Sequence, residues 1–60
     1  MTNGVYVLRM LYQDGEKETK EFFNEENARW WAKKAAKSDW VKLFSVHFRK
    51  ADWSETLLEW

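Results

Sequence analysis

The sequence predicts an α+β fold, an antiparallel sheet with one helix packed on one face and the element order ββαββ. Residues 5–13 are rich in residues that favour strands, and residues 44–49 alternate apolar with polar side chains, which is the period of a half-buried strand. Between them, residues 24–38 begin with acidic side chains, end with lysines and repeat apolar residues at helical spacing. These observations predict strands on both sides of one amphipathic helix.

The first two strands are predicted over residues 5–13 and 16–23, joined by a turn at Asp14-Gly15. Glycine adopts positive φ without steric cost, so an Asp-Gly pair is a strong hairpin signal. Two registers remain open: a two-residue Asp-Gly loop, or a three-residue Gln-Asp-Gly loop with a bulge. The return strand is polar along most of its length, which is typical of a partly solvated or edge strand.

The helix is predicted to begin after Asn24, a favourable N-cap followed by two glutamates, and to end near residues 38–39. One narrow apolar stripe recurs at helical spacing, formed by Ala28, Trp31, Ala32 and Ala35. The alanines allow the helix to lie close to a sheet, and Trp31 is the one large core anchor. Trp30 lies ~100° round the helix from Trp31 and therefore falls outside the stripe.

A third strand is predicted over residues 40–50, a turn over 51–54 and a fourth strand over 55–60. Trp40 stands at the junction of helix and strand, where we expect it to cap the edge of the core. In a two-layer domain, the sheet face away from the helix meets water unless a partner covers it. Under some strand registers, the apolar candidates for that face are Val7, Leu11, Phe23, Leu43 and Leu57.

Length and composition limit the classes of function. Sixty residues make one domain, residues 1–60. The chain has no cysteine and one histidine, so we expect no disulfide, no metal site and no cofactor. Residues 1–4 lack the basic start and apolar run of a signal peptide, and no apolar stretch is long enough to span a bilayer. We therefore expect a soluble cytoplasmic protein with no membrane partner.

Candidate catalytic residues are few. His47 is the only imidazole, and Ser45 lies two residues away on the same strand face. Strand alternation produces many such pairs by chance, so we interpret His47 as a surface residue without a catalytic role. The carboxylates are spread over turns, a strand and the helix start, and the two glycines form no phosphate-binding loop. We therefore expect a protein that is not an enzyme.

One sequence pattern carries a resemblance. Residues 22–28 (FFNEENA) lead into Trp31-Ala32, and apolar alternation follows at Val41, Phe44, Val46 and Phe48. This pattern resembles small uncharacterised proteins of bacteriophages and prophages, in which an Asp-Gly hairpin leads to a capped helix and then to another strand or hairpin. The resemblance covers most of the chain. It implies a fold rather than a chemistry, and a role as an accessory or host-directed protein that acts by binding.

The five tryptophans predict an interaction surface, because a domain this small cannot fully bury five indoles. Aromatic and arginine side chains carry much of the energy of protein interfaces. We therefore predict a non-enzymatic interaction module that presents an aromatic and aliphatic surface to a protein partner, or to a second copy of itself as a homodimer. The predicted anchors are Arg29, Trp30, Trp53 and Trp60.

The alternative is a small nucleic-acid-binding protein that uses the helix and the third strand. Residues 28–50 hold seven basic side chains and one acidic one, although the whole chain is neutral. Aromatic side chains can stack on bases while lysines meet phosphates, but neutrality lowers non-specific affinity. The residues predicted for this alternative are Arg29, Trp30, Lys33, Lys34, Lys37 and Arg49.

Overall fold

The computed structural model describes residues 4–60. Its elements follow one another as β1 (Gly4–Tyr12), β2 (Lys17–Phe22), α1 (Glu25–Lys37), β3 (Val41–Lys50) and β4 (Glu55–Leu58). The strands form one antiparallel sheet in the order β2-β1-β3-β4, with α1 packed on one face. The predicted α+β class and the order ββαββ are confirmed. Residues 1–3, which entered the signal-peptide prediction, lie outside the described residues.

The helix begins and ends where its capping residues predict. The Asn24 side-chain oxygen accepts hydrogen bonds from the Glu26 N–H at 2.7 Å and the Asn27 N–H at 3.3 Å. At the other end, the Ser38 N–H donates to the Ala35 carbonyl at 3.2 Å. Within residues 4–60, no helix has both the length and the apolar character needed to cross a membrane.

The core lies between α1 and the two central strands. Leu8 has no exposed surface, and the residues buried around it are Met10, Val46, Ala32 and Ala35. The alanines of the stripe are all buried, as predicted. Trp31 packs against this core but is only half-buried, because it lies at the edge of the stripe and faces Phe22, with ring centroids 6.2 Å apart.

β2, β3 and β4 are each shorter than the sequence predicts, and β1 begins and ends one residue earlier than predicted. β2 ends at Phe22, so Phe23 lies beyond the sheet and is 73% exposed. The prediction that placed Phe23 on the sheet face was therefore wrong. β4 ends at Leu58, which leaves Trp60 outside the strand. At the start of β1, Gly4 approaches β3 so closely that a Cβ there would overlap the Arg49 carbonyl oxygen.

Candidate interaction site

The β1–β2 loop shows how this sheet makes a hairpin turn. The Gly15 N–H donates to the Tyr12 carbonyl at 3.0 Å, and the Tyr12 N–H donates to the Glu16 carbonyl at 2.8 Å. The Asp14 carboxylate accepts from the Glu16 N–H at 2.9 Å. Gly15 has φ +92°, the left-handed region that favours glycine. The loop is therefore the three-residue Gln-Asp-Gly form, one of the two registers that the sequence left open.

The β3–β4 loop repeats this geometry with a tryptophan in place of the glycine. The Trp53 N–H donates to the Lys50 carbonyl at 2.9 Å, and the Lys50 N–H donates to the Ser54 carbonyl at 2.8 Å. The Asp52 carboxylate accepts from the Ser54 N–H at 3.0 Å. Trp53 has φ +72° and is the one non-glycine residue of the described range with positive φ. This conformation costs an L-residue about 1–2 kcal/mol.

The Trp53 side chain is 75% exposed and lies beside Arg49. The Arg49 guanidinium carbon is 4.7 Å from the indole centroid, a cation–π distance. Arg49 Nη2 also lies 2.8 Å from Glu21 Oε2 on β2. The ion pair thus orients the guanidinium, and the guanidinium supports the indole. Most of the indole surface remains accessible to a partner.

Two arginines cross the helix-free face, which is the sheet face opposite α1. Arg9 on β1 crosses β3 and donates to both carboxylate oxygens of Glu55 on β4, at 2.8 and 2.9 Å. Arg49 on β3 crosses β1 to reach Glu21 on β2. Val7, in the middle of this face, is 1% exposed. The prediction that Val7 belongs to an open apolar face was therefore wrong, because the long side chains of this chain already cover it.

Three leucines of the helix-free face keep part of the apolar surface that the sequence predicted. Leu43 is 63% exposed, Leu57 is 56% exposed and Leu11 is half-buried. Leu11 pairs with Leu43 at one end of the face, whereas Leu57 lies on the edge strand β4. The exposed apolar surface is therefore divided into separate areas rather than continuous.

The Arg9–Glu55 pair makes stability depend on pH. Hydrogen bonds from Arg9 hold the pKa of Glu55 below its usual range. A carboxyl group with a lowered pKa in the folded state stabilises the fold above its unfolded pKa, and this contribution is lost as the pH falls through the folded pKa. We expect Glu55→Gln to lower the free energy of unfolding at pH 7 and to flatten its decline between about pH 5 and pH 3. Urea unfolding at several pH values measures both effects.

The control for this prediction is Glu59→Gln. Glu59 is exposed and makes no ion pair within residues 4–60. We expect its replacement to leave the pH dependence of stability as in the wild-type chain. Equal pH dependence in the Glu55→Gln and wild-type proteins would contradict the assigned role of the Arg9–Glu55 pair.

Known proteins give no guide to the role of these features. No family model, curated protein or solved structure matches this chain. Within residues 4–60, no group of three or more His, Cys, Asp or Glu side chains is arranged to hold a metal ion.

Two predicted anchors, Arg29 and Trp60, contact each other. The Arg29 guanidinium carbon lies 4.6 Å from the Trp60 ring centroid, and Arg29 Nε donates to Glu25 Oε2 at 2.8 Å. The Tyr6 ring is 5.8 Å from Trp60, and its hydroxyl donates to Glu25 at 3.2 Å. Trp60 is 44% exposed, but this cluster gives it a structural role in tying the segment after β4 to α1 and β1.

Trp30 lies apart from the other predicted anchors. It is 56% exposed on the outer side of α1 and packs edge-to-face on Trp31, with centroids 5.2 Å apart. Lys34 Nζ lies 5.1 Å from the Trp30 centroid and 5.0 Å from that of Trp31. Trp53 stands instead on the β3–β4 loop. The structure therefore brings Arg29 and Trp60 together and distributes the four predicted anchors over three places.

The residues predicted for nucleic-acid binding do not share one surface either. Arg49 lies on the helix-free face and is paired with Glu21, whereas the other five residues of that set belong to α1. His47, the candidate imidazole, accepts a hydrogen bond at Nδ1 from Arg9 at 3.3 Å. No hydrogen bond joins His47 to Ser45 in the part of the chain that the structure describes.

The left-handed conformation of Trp53 is the feature of the candidate site that sequence reasoning missed. The sequences of the two hairpin loops did contain a signal for this conformation. Residues 13–16 read Gln-Asp-Gly-Glu and residues 51–54 read Ala-Asp-Trp-Ser, so an aspartate precedes the left-handed position in both loops. Aligning the two aspartates places Trp53 where the first loop has glycine.

Proposed function

We propose that this protein is a non-enzymatic interaction module that binds a protein partner through Trp53 on the β3–β4 loop. The observation that carries this proposal is the strained backbone of an exposed tryptophan, with φ +72° and 75% exposure. Strained backbone conformations cluster at functional sites, where the surrounding structure maintains them. Trp53 packs on Arg49, but that contact leaves most of the indole exposed.

Arg49 makes the loop a suitable interface anchor. Tryptophan and arginine are enriched among the few residues that dominate binding energy at interfaces. The Glu21 ion pair and the indole contact already restrict the Arg49 side chain, so less conformational entropy is lost when a partner binds. The hydrogen bonds of Asp52 with Ser54 restrict the loop in the same way. The partner we propose offers an apolar cleft that accepts an indole.

Trp53→Gly tests the proposal without breaking the loop. Glycine relieves the left-handed strain but loses the cation–π contact and gains entropy in the unfolded state, so the free energy of unfolding should change by less than about 1 kcal/mol. Loss of an interface anchor costs at least about 2 kcal/mol of binding, which is roughly a 30-fold weaker Kd. Capture from a lysate of the source cells, followed by titration of the captured partner, measures the second effect.

The matched control is Trp40→Gly. Trp40 is 61% exposed and precedes β3, at the opposite end of that strand from Trp53. We expect Trp40→Gly to keep the partner that Trp53→Gly loses. Capture from nuclease-treated lysate separates this proposal from the nucleic-acid alternative, because a protein bound directly at Trp53 is retained after nuclease digestion. A partner released by the nuclease favours the basic helix instead.

A further inference from the structure

Indole and ammonium groups alternate along the flank of the molecule where α1 meets β2. Trp30 packs edge-to-face on Trp31, and Lys34 Nζ lies 5.1 Å from the Trp30 centroid and 5.0 Å from the Trp31 centroid. From β2, Lys20 Nζ lies 4.9 Å from the Trp31 centroid. This surface is open to solvent, since Trp30 is 56% exposed.

A cleft of about 240 Å³ continues this row towards the C-terminal end of α1. Trp31, Lys20 and Lys34 line the cleft together with Trp40, which follows α1 and is 61% exposed. Within residues 4–60, no lysine or arginine lies at cation–π distance from the Trp40 ring. We call the five residues Trp30, Trp31, Trp40, Lys20 and Lys34 the aromatic flank. Trp40 is the tryptophan of this flank whose ring no cation of the described chain covers.

The α1 side of the aromatic flank carries positive charge that the chain does not pair. Residues 28–37 contain four basic side chains and no acidic one. Lys37 follows Lys34 by three residues and therefore lies on the same side of the helix. Neither Lys34 nor Lys37 makes an ion pair in the part of the chain that the structure describes. These two ammonium groups are therefore available to an anionic ligand.

Two carboxylates lie close to the cleft. Glu18 lines it, but this carboxylate accepts a hydrogen bond from the Tyr12 hydroxyl and pairs with Lys20 at 3.3 Å. Asp39 directly precedes Trp40 and is exposed, so its charge opposes an anion at the indole itself. The aromatic flank therefore fits a ligand that presents a planar ring to Trp40 and its negative charge to the α1 lysines.

We propose that the aromatic flank binds single-stranded nucleic acid, with a base stacked on Trp40 in the cleft and phosphates at Lys34 and Lys37. Proteins that bind single strands combine basic groups that follow the backbone with aromatic side chains on which bases stack. From Trp30 to Lys37 the helix extends about 10 Å, so a strand of a few nucleotides also reaches Trp30. A duplex is a poorer ligand, because its bases stack on one another and offer no ring face to an indole.

This site differs from the nucleic-acid surface that the sequence predicts. Arg49 lies on the helix-free face and does not belong to it, whereas Trp40 and Lys20 do. The exposed indole favours a nucleic acid over an acidic peptide, because an acidic side chain has no planar ring to stack on Trp40. The site is also separate from Trp53, which stands at the opposite end of β3, so it adds a second binding activity to the proposed function.

Fluorescence anisotropy of a labelled oligothymidylate of about 12 nucleotides tests this proposal on the full chain. At about 50 mM salt we expect a Kd of roughly 1–100 μM, and at about 200 mM salt a Kd roughly sevenfold weaker for two phosphate contacts. Trp40→Gly should bind at least ~5-fold more weakly, because it removes the stacking of one base. Trp53→Gly is the matched control and should bind like the wild type.

A second pair of matched variants tests the charge. Lys34→Gln removes an ammonium group from the aromatic flank, and Lys17→Gln removes one from an exposed β2 position on the helix-free face. Both variants have the same net charge, so a difference between them reports the position of the lysine. We expect Lys34→Gln to weaken binding at low salt at least ~3-fold and to reduce the salt dependence by about half, and Lys17→Gln to change neither.

Several results would overturn the proposal. One is the absence of oligothymidylate binding up to roughly 1 mM protein at low salt, and another is a folded Trp40→Gly chain that binds as tightly as the wild type. Equal weakening by Lys34→Gln and Lys17→Gln would reveal an effect of total charge alone. Competition by polyglutamate or by thymidine monophosphate as effective as that by unlabelled oligothymidylate would assign the flank to an acidic peptide or to a free nucleotide instead.

If Trp40→Gly does not fold, the indole N–H resonances of the wild-type chain decide. The Trp40 resonance should shift when oligothymidylate is added, while the Trp53 resonance stays unchanged. A Trp40 resonance that does not move contradicts the site. Because the Trp53 loop takes no part in this binding, failure of nucleic-acid binding leaves the Trp53 proposal intact.

Discussion

Replacing Leu8 with alanine is expected to lower the free energy of unfolding by about 3–5 kcal/mol. Leu8 has no exposed surface and lies at the centre of the core between the sheet and α1. The small alanines of α1 cannot expand to fill the cavity that the substitution leaves. A domain of this length has a total stability of roughly 3–9 kcal/mol, so a large fraction of Leu8→Ala molecules should be unfolded at 25 °C. Urea unfolding followed by circular dichroism measures the change.

Leu43→Ala is the matched control for Leu8→Ala. Leu43 lies on β3 with 63% of its surface exposed on the helix-free face. Leu43→Ala should lower the free energy of unfolding by less than about 1 kcal/mol, because the substitution removes little buried apolar surface. Similar destabilisation by both substitutions would contradict the placement of the core on the α1 side of the sheet.

The adjacent residues Trp30 and Trp31 should respond differently to alanine. Trp31→Ala is expected to lower the free energy of unfolding by about 2–4 kcal/mol. Its half-buried ring packs on the core, on Phe22 and beneath the Lys20 ammonium group, 4.9 Å from the ring centroid. Trp30→Ala removes mainly the edge-to-face contact with Trp31, worth about 0.5–1.5 kcal/mol.

Thermal and urea unfolding of the two variants compare these costs directly, since both proteins lose the same indole from neighbouring positions. Trp31→Ala should be more destabilising than Trp30→Ala because Trp31 lies on the side of α1 that faces the sheet. If Trp30→Ala were the more destabilising change, the orientation of α1 on the sheet would be wrong.

The sequence predicted the fold class because its local signals agree with one another. Strand alternation places Leu8 and Met10 on one face of β1, and both are buried. Helical spacing selects the alanine stripe that packs on them, and Asn24 caps the helix as its side chain predicts. Each of these features depends on residues close together in the chain, so periodicity and capping rules were sufficient.

The helix-free face was harder to predict because its structure depends on long side chains that cross strands. Arg9 reaches Glu55 over β3, and Arg49 reaches Glu21 over β1. Strand parity places these residues on the face but does not show that they pair over a neighbouring strand. The sequence predicted an open apolar face, but at Val7 that face is covered.

The candidate site was predicted in part. Trp53 was among the expected anchors, but its left-handed backbone depends on its exact position in the β3–β4 loop, and the sequence predicted only a turn over residues 51–54. Trp60 and Arg29 also belonged to the predicted set, and their contact with each other depends on how the segment after β4 returns towards α1. Contacts between segments that lie far apart in the chain produce no periodic pattern in the sequence, so sequence reasoning could not predict them.

The affinity of the captured partner for Trp53→Gly tests the central proposal most directly. Isothermal titration of the purified partner against wild-type, Trp53→Gly and Trp40→Gly chains gives the three Kd values. We predict a Kd at least ~30-fold weaker for Trp53→Gly, an unchanged Kd for Trp40→Gly and a folded protein in each case. A folded Trp53→Gly chain that binds the partner as tightly as the wild type would contradict the proposal that the strained tryptophan is the interaction anchor.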